Sequence, residues 1–350
     1  MRIASWCGVA MLTVSMLATG CKREEGDESS ATGGATSRGV ADGKTVRIVY
    51  IPKNAGNPYF APFIAGMKKA ADEYGAEFAD VAPATADATS QIPVIKDQVQ
   101  LGVDVLVISP NSPDALVPAL DEARGKGVLV ITADSDLTGS EDHRDAAVFP
   151  VDPKDVGFSQ IETLGKLIDY KGKFAILSAT TDAPNQNLWI GHMKEALKDP
   201  KYAGMQLVDI VYGDDQPQKS TTEAEALLTK HPDLRGLIAP TSVGIAAAAA
   251  VVENAKKADQ VKLVGLGLPS ELRRYVLNGT LPGAALWSPY DMGYVTSHLA
   301  VQLAQGKVKA QPGATFTAGT LGEREVGAKN VVIAGKPLVF TKENIDDFKF

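Results

Sequence analysis

Several short stretches of this sequence set amides, charges and aromatic rings just after apolar runs. Pro52-Lys53-Asn54-Ala55-Gly56-Asn57-Pro58-Tyr59-Phe60 follows Val46–Ile51. A side-chain amide both donates and accepts hydrogen bonds, so Lys53, Asn54 and Asn57 beside Phe60 can grip a hydroxyl-rich molecule. Asn, Gly and Pro also build turns for backbone reasons alone. The asparagines taken singly fit either reading, whereas Lys53, at a strand end, is read as functional.

Asp134-Ser135-Asp136 follows another apolar run. Hydrogen bonds to a charged acceptor are worth roughly 1.5–3 kcal/mol, which suits Asp134 to holding hydroxyls; Asp136 is expected to be structural. Asn185-Gln186-Asn187-Leu188-Trp189 opens a helical pattern, and three amides before an indole exceed what a helix cap needs. Pro240-Thr241-Ser242 offers a carbonyl and two hydroxyls, which serve a ligand or cap the alanine-rich helix that follows. Trp287-Ser288-Pro289-Tyr290-Asp291 adds a second indole at a strand end, with Asp291 close behind. The plane of Trp189 or Trp287 can stack on the C–H face of a sugar ring.

Other chemistries lack their residues. His143, His192, His231 and His298 show no metal-ligand spacing, so neither a metal nor a cofactor is expected. There is no GxSxG elbow and no P-loop. Gly265-Leu266-Gly267-Leu268-Pro269-Ser270 imitates a dinucleotide loop but lacks its third glycine, and it is read as a strand-end turn that brings Leu268 near the same region.

These residues need elements to position them. The 350 residues suffice for about two domains. With 45% hydrophobic and 22% charged residues the composition is that of a globular protein. A net charge of −7 argues against nucleic acid as a partner. Strand patterns at 46–51, 103–109, 128–133, 174–178, 206–212, 234–239, 261–266 and 281–287 alternate with helical ones. The helices fall at 62–78, 113–124, 153–170, 188–198, 221–230, 243–257 and 270–277. Such alternation gives parallel sheets covered by helices on both faces. The rhythm pauses around Arg144–Pro153, and the number of units exceeds one small sheet. The expected fold is α/β, with two doubly wound lobes and a cleft between them. Ligands of such sheets bind beyond the carboxyl ends of the strands, where the residues above lie.

The N-terminus has a different character. Arg2, an uncharged and mostly apolar stretch to Ala18, and small residues before Cys21 read as a signal peptide over 1–20. The Leu17–Cys21 stretch resembles a bacterial lipobox, with Ala18 where leucine is usual. Cys21 is therefore the expected lipidation site, and ordinary cleavage nearby is the alternative. Residues 21–43 are rich in Gly, Ser, Ala, Thr and charge, the composition of a flexible tether.

At IPKNAGNPYF from Ile51, ADSD from Ala133, NQNLWI from Asn185, IAPTSVGIAAAA from Ile238, GLGLPSELRRYV from Gly265 and ALWSPYDMGY from Ala285, the chain resembles the periplasmic sugar-binding proteins of ABC transporters, of type I fold. YGDDQPQKS from Tyr212 and VFTKENID from Val339 are also similar, so the likeness spans the body. Within that family the resemblance is strongest to rhamnose-binding and autoinducer-2-binding members.

The resemblance implies two lobes joined by three hinge crossings, closing on a ligand that is not chemically altered. The N-terminal lobe is expected over 44–150 plus 288–320, and the C-terminal lobe over 151–287 plus 321–350. It also implies ligand contacts at Lys53, Asp134, Asn185, Gln186, Pro240 and Ser242. An amide at Asn185, where autoinducer-2 receptors carry a carboxylate, ranks rhamnose or a similar 6-deoxyhexose first. The implied protein is a monomeric, exported, lipid-anchored subunit facing the periplasm. It would hand a small sugar to an ABC permease in the inner membrane. A quorum-signal receptor, or a sugar sensor for a kinase or chemoreceptor, is the alternative.

Overall fold

The computed structural model describes residues 43–350. The signal peptide expected at 1–20, Cys21 and the tether to residue 42 lie outside the described residues.

The first sheet has six strands in the order β13-β5-β4-β3-β1-β2, all parallel. They are β1 (Arg47–Ile51), β2 (Glu77–Asp80), β3 (Val105–Ile108), β4 (Leu129–Ala133), β5 (Ala146–Phe149) and β13 (Val331–Ile333). Both faces of its central strands are covered. Ile48 and Tyr50 of β1 pack with Phe63 and Met67 of helix α1 (Phe60–Tyr74), while Val49 and Ile51 pack with Ile95 and Leu120. Successive strand side chains point to opposite faces, so a strand buried on both sides must be apolar throughout. That is why β3 and β4 read as unbroken runs.

Helix α1 buries Phe60, Phe63, Met67, Ala70 and Ala71, a single stripe at helical spacing. It stops at Gly75, whose φ of 63° suits the left-handed cap. It packs against α9 (Pro289–Ala304). Gly66 and Gly293 make that packing possible: a Cβ on Gly66 would strike the Tyr290 carbonyl, and one on Gly293 the Phe63 carbonyl.

The second sheet has four parallel strands in the order β7-β6-β8-β9. They are β6 (Lys171–Ser178), β7 (Gly204–Tyr212), β8 (Leu234–Ala239) and β9 (Lys262–Gly265). Their helices are α4 (Pro153–Leu167), α5 (Pro184–Ala196), α6 (Pro217–Lys230), α7 (Ser242–Asn254) and α8 (Pro269–Leu277). Four of these, α4, α5, α6 and α8, begin with proline, whose missing N–H costs nothing at a helix start.

The structure adds elements the sequence pattern conceals. β2 is a largely exposed edge strand, so it has no apolar run, and Phe78 lies on it rather than on the preceding helix. Helix α2 (Ala88–Gln100) buries only Gln91, Ile95 and Val99 and contains Pro93, which blurs its pattern; Asp87 caps it by accepting from the Ser90 N–H. α3 is shorter than its pattern, Val117–Gly125. The strand expected at 281–287 shrinks to β10 (Ala284–Leu286), which pairs antiparallel with β14 (Leu338–Phe340).

This tail corrects the expected lobe division. β13 joins β5 in the first sheet, while β14 joins β10 beside the second. Residues 321–350 are therefore shared, because β13 pairs with the edge of β5 that β4 leaves open. The chain passes between the two sheets at three places: after β5, between β10 and α9, and between β13 and β14. Two crossings are bonded together, with the Gly335 N–H donating to the Pro150 carbonyl at 2.9 Å.

Candidate functional site

The carboxyl ends of the two sheets meet around one cavity of about 390 Å³, its open mouth included. Lys53 arrives from the end of β1, Asp134 from β4, Asn185 and Gln186 from the first turn of α5, and Pro240 to Ser242 from the end of β8. Asn57, Phe60, Trp189 and Trp287 complete the lining expected from sequence.

Three expected residues lie elsewhere. Asn54 faces an adjoining crevice with Gln216 and Glu271, its Oδ1 buried without a partner. Leu268 is packed into the core just before α8, because the turn carries Leu266 to the cavity instead. Asp291 stands in the first turn of α9, where its backbone N–H donates to Ser288 Oγ at 3.1 Å, and its side chain is not part of the lining.

Tyr59, Asp215, Leu266 and Leu286 also line the cavity and were not singled out. Asp215 follows the end of β7, so the strand-end rule applied to every strand would have found it. Tyr59 sits inside a stretch already singled out, between Asn57 and Phe60.

The polar groups form a network that crosses between the lobes. Lys53 Nζ donates to Asn185 Oδ1 at 2.7 Å. Asn185 Nδ2 donates to Asp134 Oδ2 at 3.3 Å, and Tyr59 Oη donates to Asp134 Oδ1 at 2.6 Å. Trp287 Nε1 in turn donates to Tyr59 Oη at 2.7 Å. On the other lobe, Gln186 Nε2 donates to the Pro240 carbonyl at 2.6 Å. Thr241 Oγ1 donates to Asp215 and makes no capping hydrogen bond to α7. Asp136 points away, held by Arg144 Nε and Nη2 at 2.7 Å each and by Thr132, as its structural reading expected.

Second-layer bonds fix the loops. Gln91 Nε2 donates to the carbonyls of Pro52 and Ser109, and Asn111 Nδ2 donates to the Lys53 carbonyl at 2.8 Å. Asn57 Oδ1 accepts from the Tyr59 N–H at 3.1 Å, so this asparagine both builds the turn and lines the cavity. Asp134 and Asp215 adopt φ of 67° and 51°, left-handed conformations uncommon for residues other than glycine. Such backbone persists where surrounding contacts enforce it, and it aims both carboxylates inward.

Burial dominates the electrostatics. It pushes the Asp134 carboxyl up, against the nearby Lys53 charge and the Tyr59 hydrogen bond. It pushes Asp215 up likewise, against Thr241 and Lys53. Lys53 is lowered by its own desolvation, which outweighs the two carboxylates. Two carboxylates and one ammonium, with donors and acceptors turned inward, suit hydroxyl recognition. Beside them Phe60, Trp189, Leu266, Leu286 and Trp287 form an apolar wall, the two indole rings 5.9 Å apart and inclined at 59°.

Two parallel-sheet lobes with a polar cavity between their strand ends make a two-lobed ligand-binding protein. A periplasmic binding protein domain matches residues 48–308, and the chain belongs to that family. An ABC transporter solute-binding protein from Clostridium phytofermentas, solved with L-rhamnose, is 32% identical. It superposes with a TM-score of 0.84 over 87% of this chain and 98% of that one. A sugar ABC transporter protein from Actinomyces odontolyticus is 42% identical with a TM-score of 0.69 over the same shares. Among curated proteins, the D-ribose/D-allose-binding protein of Pseudomonas aeruginosa is 28% identical over 63% of this chain and 70% of its own length.

Proposed function

We propose that this protein binds rhamnose, or a similar 6-deoxyhexose, between its lobes and delivers it to an ABC permease without altering it. The observation that carries the reading is that the cavity lining combines polar and charged groups (Lys53, Asp134, Asn185, Asp215) with apolar ones (Leu266, Leu286, Trp287). A 6-deoxy sugar combines the same two characters, ring hydroxyls and a methyl group. The 32% identical relative solved with L-rhamnose supports it.

Closure follows from the same groups. Only an arrangement with both lobes in place contacts the sugar from both sides, so the sugar favours that state. The Lys53–Asn185 and Asn185–Asp134 bonds already span the lobes and would be remade around the ligand. On this reading the protein works as a monomer in the periplasm, tethered through a lipid on Cys21.

The test is calorimetry with L-rhamnose beside ribose and allose, with tryptophan fluorescence followed in parallel. Trp189 and Trp287 both face the cavity, so binding should change the emission. The expected dissociation constant for rhamnose is micromolar or tighter, about −8 kcal/mol. Silence toward rhamnose with tight binding of another sugar would replace the ligand and leave the mode of binding in place. A converted product would overturn both.

A further inference from the structure

A second, larger recess shares a wall with the sugar cavity. Leu266, Leu286 and Trp287 line both spaces, and the recess holds about 1050 Å³, its open mouth included. It is bounded by α4, the end of β9, β10 and β14. All three crossings between the sheets contribute to it, through Val151, Trp287 and Pro337. Its surface is mostly apolar, with Asp155, Ser159, Thr163 and Thr341 as the polar exceptions apart from one buried amide.

That amide belongs to Gln160. Its side chain lines the recess and is only 3% exposed. Its Nε2 makes one long contact, 3.5 Å, to the Val156 carbonyl. Its Oε1 is buried with no hydrogen-bond partner. A buried acceptor left unpaired costs about 1–3 kcal/mol, and native proteins carry few of them. An apolar recess beside a single unpaired acceptor has a definite complement.

We propose that this recess is a second small-molecule site, for a largely apolar ligand carrying one hydrogen-bond donor that meets Gln160 Oε1. Such a guest covers the apolar wall with its body and satisfies the orphaned acceptor with its donor. It touches all three crossings at once. The proposal does not depend on which sugar, if any, fills the neighbouring cavity.

The probes are p-cresol and its methyl ether, which share a ring but differ in the donor. The full-length protein, isotope-labelled at its methyl groups, is titrated with each and followed by NMR. The expected result is saturable shifting of the Val151, Val156, Val264 and Val339 methyls, with p-cresol at least about fivefold tighter than the ether. Gln160→Leu removes the acceptor and should make the two probes equal. Equal affinities in the native protein, or shifts confined to other residues, overturn the proposal without reference to the variant. Concentration-dependent shifts of the same methyls with no probe added would assign the recess to a second copy of the chain, and would also overturn it.

Discussion

Tyr59 donates its hydroxyl proton to Asp134 at 2.6 Å, joining the loop after β1 to the end of β4. The same oxygen accepts from Trp287 Nε1, so a residue at the second crossing is tied to both loops. One phenol thus fixes a carboxylate, an indole and a crossing together. Burial and the Asp134 charge hold that phenol's pKa well above its usual value, so it stays a donor at any ordinary pH.

Tyr59→Phe should therefore unsettle the site from its centre. It leaves the buried Trp287 N–H and Asp134 each short of a partner, at a cost of about 1–3 kcal/mol. Urea denaturation checks this. An unchanged midpoint would mean that water replaces the hydroxyl without loss.

Asp134→Asn should separate stability from binding. Burial raises the folded-state pKa of Asp134 and of Asp215, so the folded protein holds these protons more tightly than the unfolded chain does. Stability from such groups is present below the ordinary carboxylate range and fades as pH rises through the raised values. The buried cluster of Lys53, Asp134 and Asp215 carries one excess negative charge when all three are ionised, and the amide removes it. Asparagine also tolerates the left-handed backbone at this position. The expected outcome is a higher melting temperature for the variant, with the larger gain at mildly alkaline pH, together with weaker sugar binding. A variant less stable than the parent at alkaline pH would contradict the burial argument.

Asn185→Ala removes the amide that receives Lys53 from across the cleft. Sugar affinity should fall by roughly 1–3 kcal/mol if that bond is remade around the ligand. Asp134→Ala should weaken binding by a similar amount. Calorimetry reads both, and unchanged affinity in the pair would place the ligand elsewhere.

Gly66→Ala and Gly293→Ala test the scaffold apart from the site. Each adds a methyl where α1 and α9 touch backbone to backbone. Overpacking of this kind costs about 1–3 kcal/mol, and more where neither helix can shift. Thermal melts should show the loss, with sugar affinity preserved below the transition. Parental stability in either variant would show that the helices can part.

The fold class and most of the site were legible in the sequence for one reason. A parallel strand buried on both faces must be apolar along its length, and the residues that follow it are placed at the sheet's carboxyl edge. Lys53, Asp134, Gln186, Pro240 and Trp287 were found by that rule, and all line the cavity. β2 and α2 escaped it because an edge strand and a weakly buried helix carry little apolar signal. Asn54 adjoins Lys53 in the chain and Leu268 lies two residues after Leu266, yet a turn sends nearby side chains in different directions.

The order of residues alone determined that this chain builds two α/β lobes and ends its strands in amides, carboxylates and indoles. Only the tertiary structure decided that Tyr59 links Asp134 to Trp287 and that β13 returns to the first sheet. Local patterns record which face of an element is buried. They do not record which distant element buries it, because that depends on where the chain crosses from lobe to lobe.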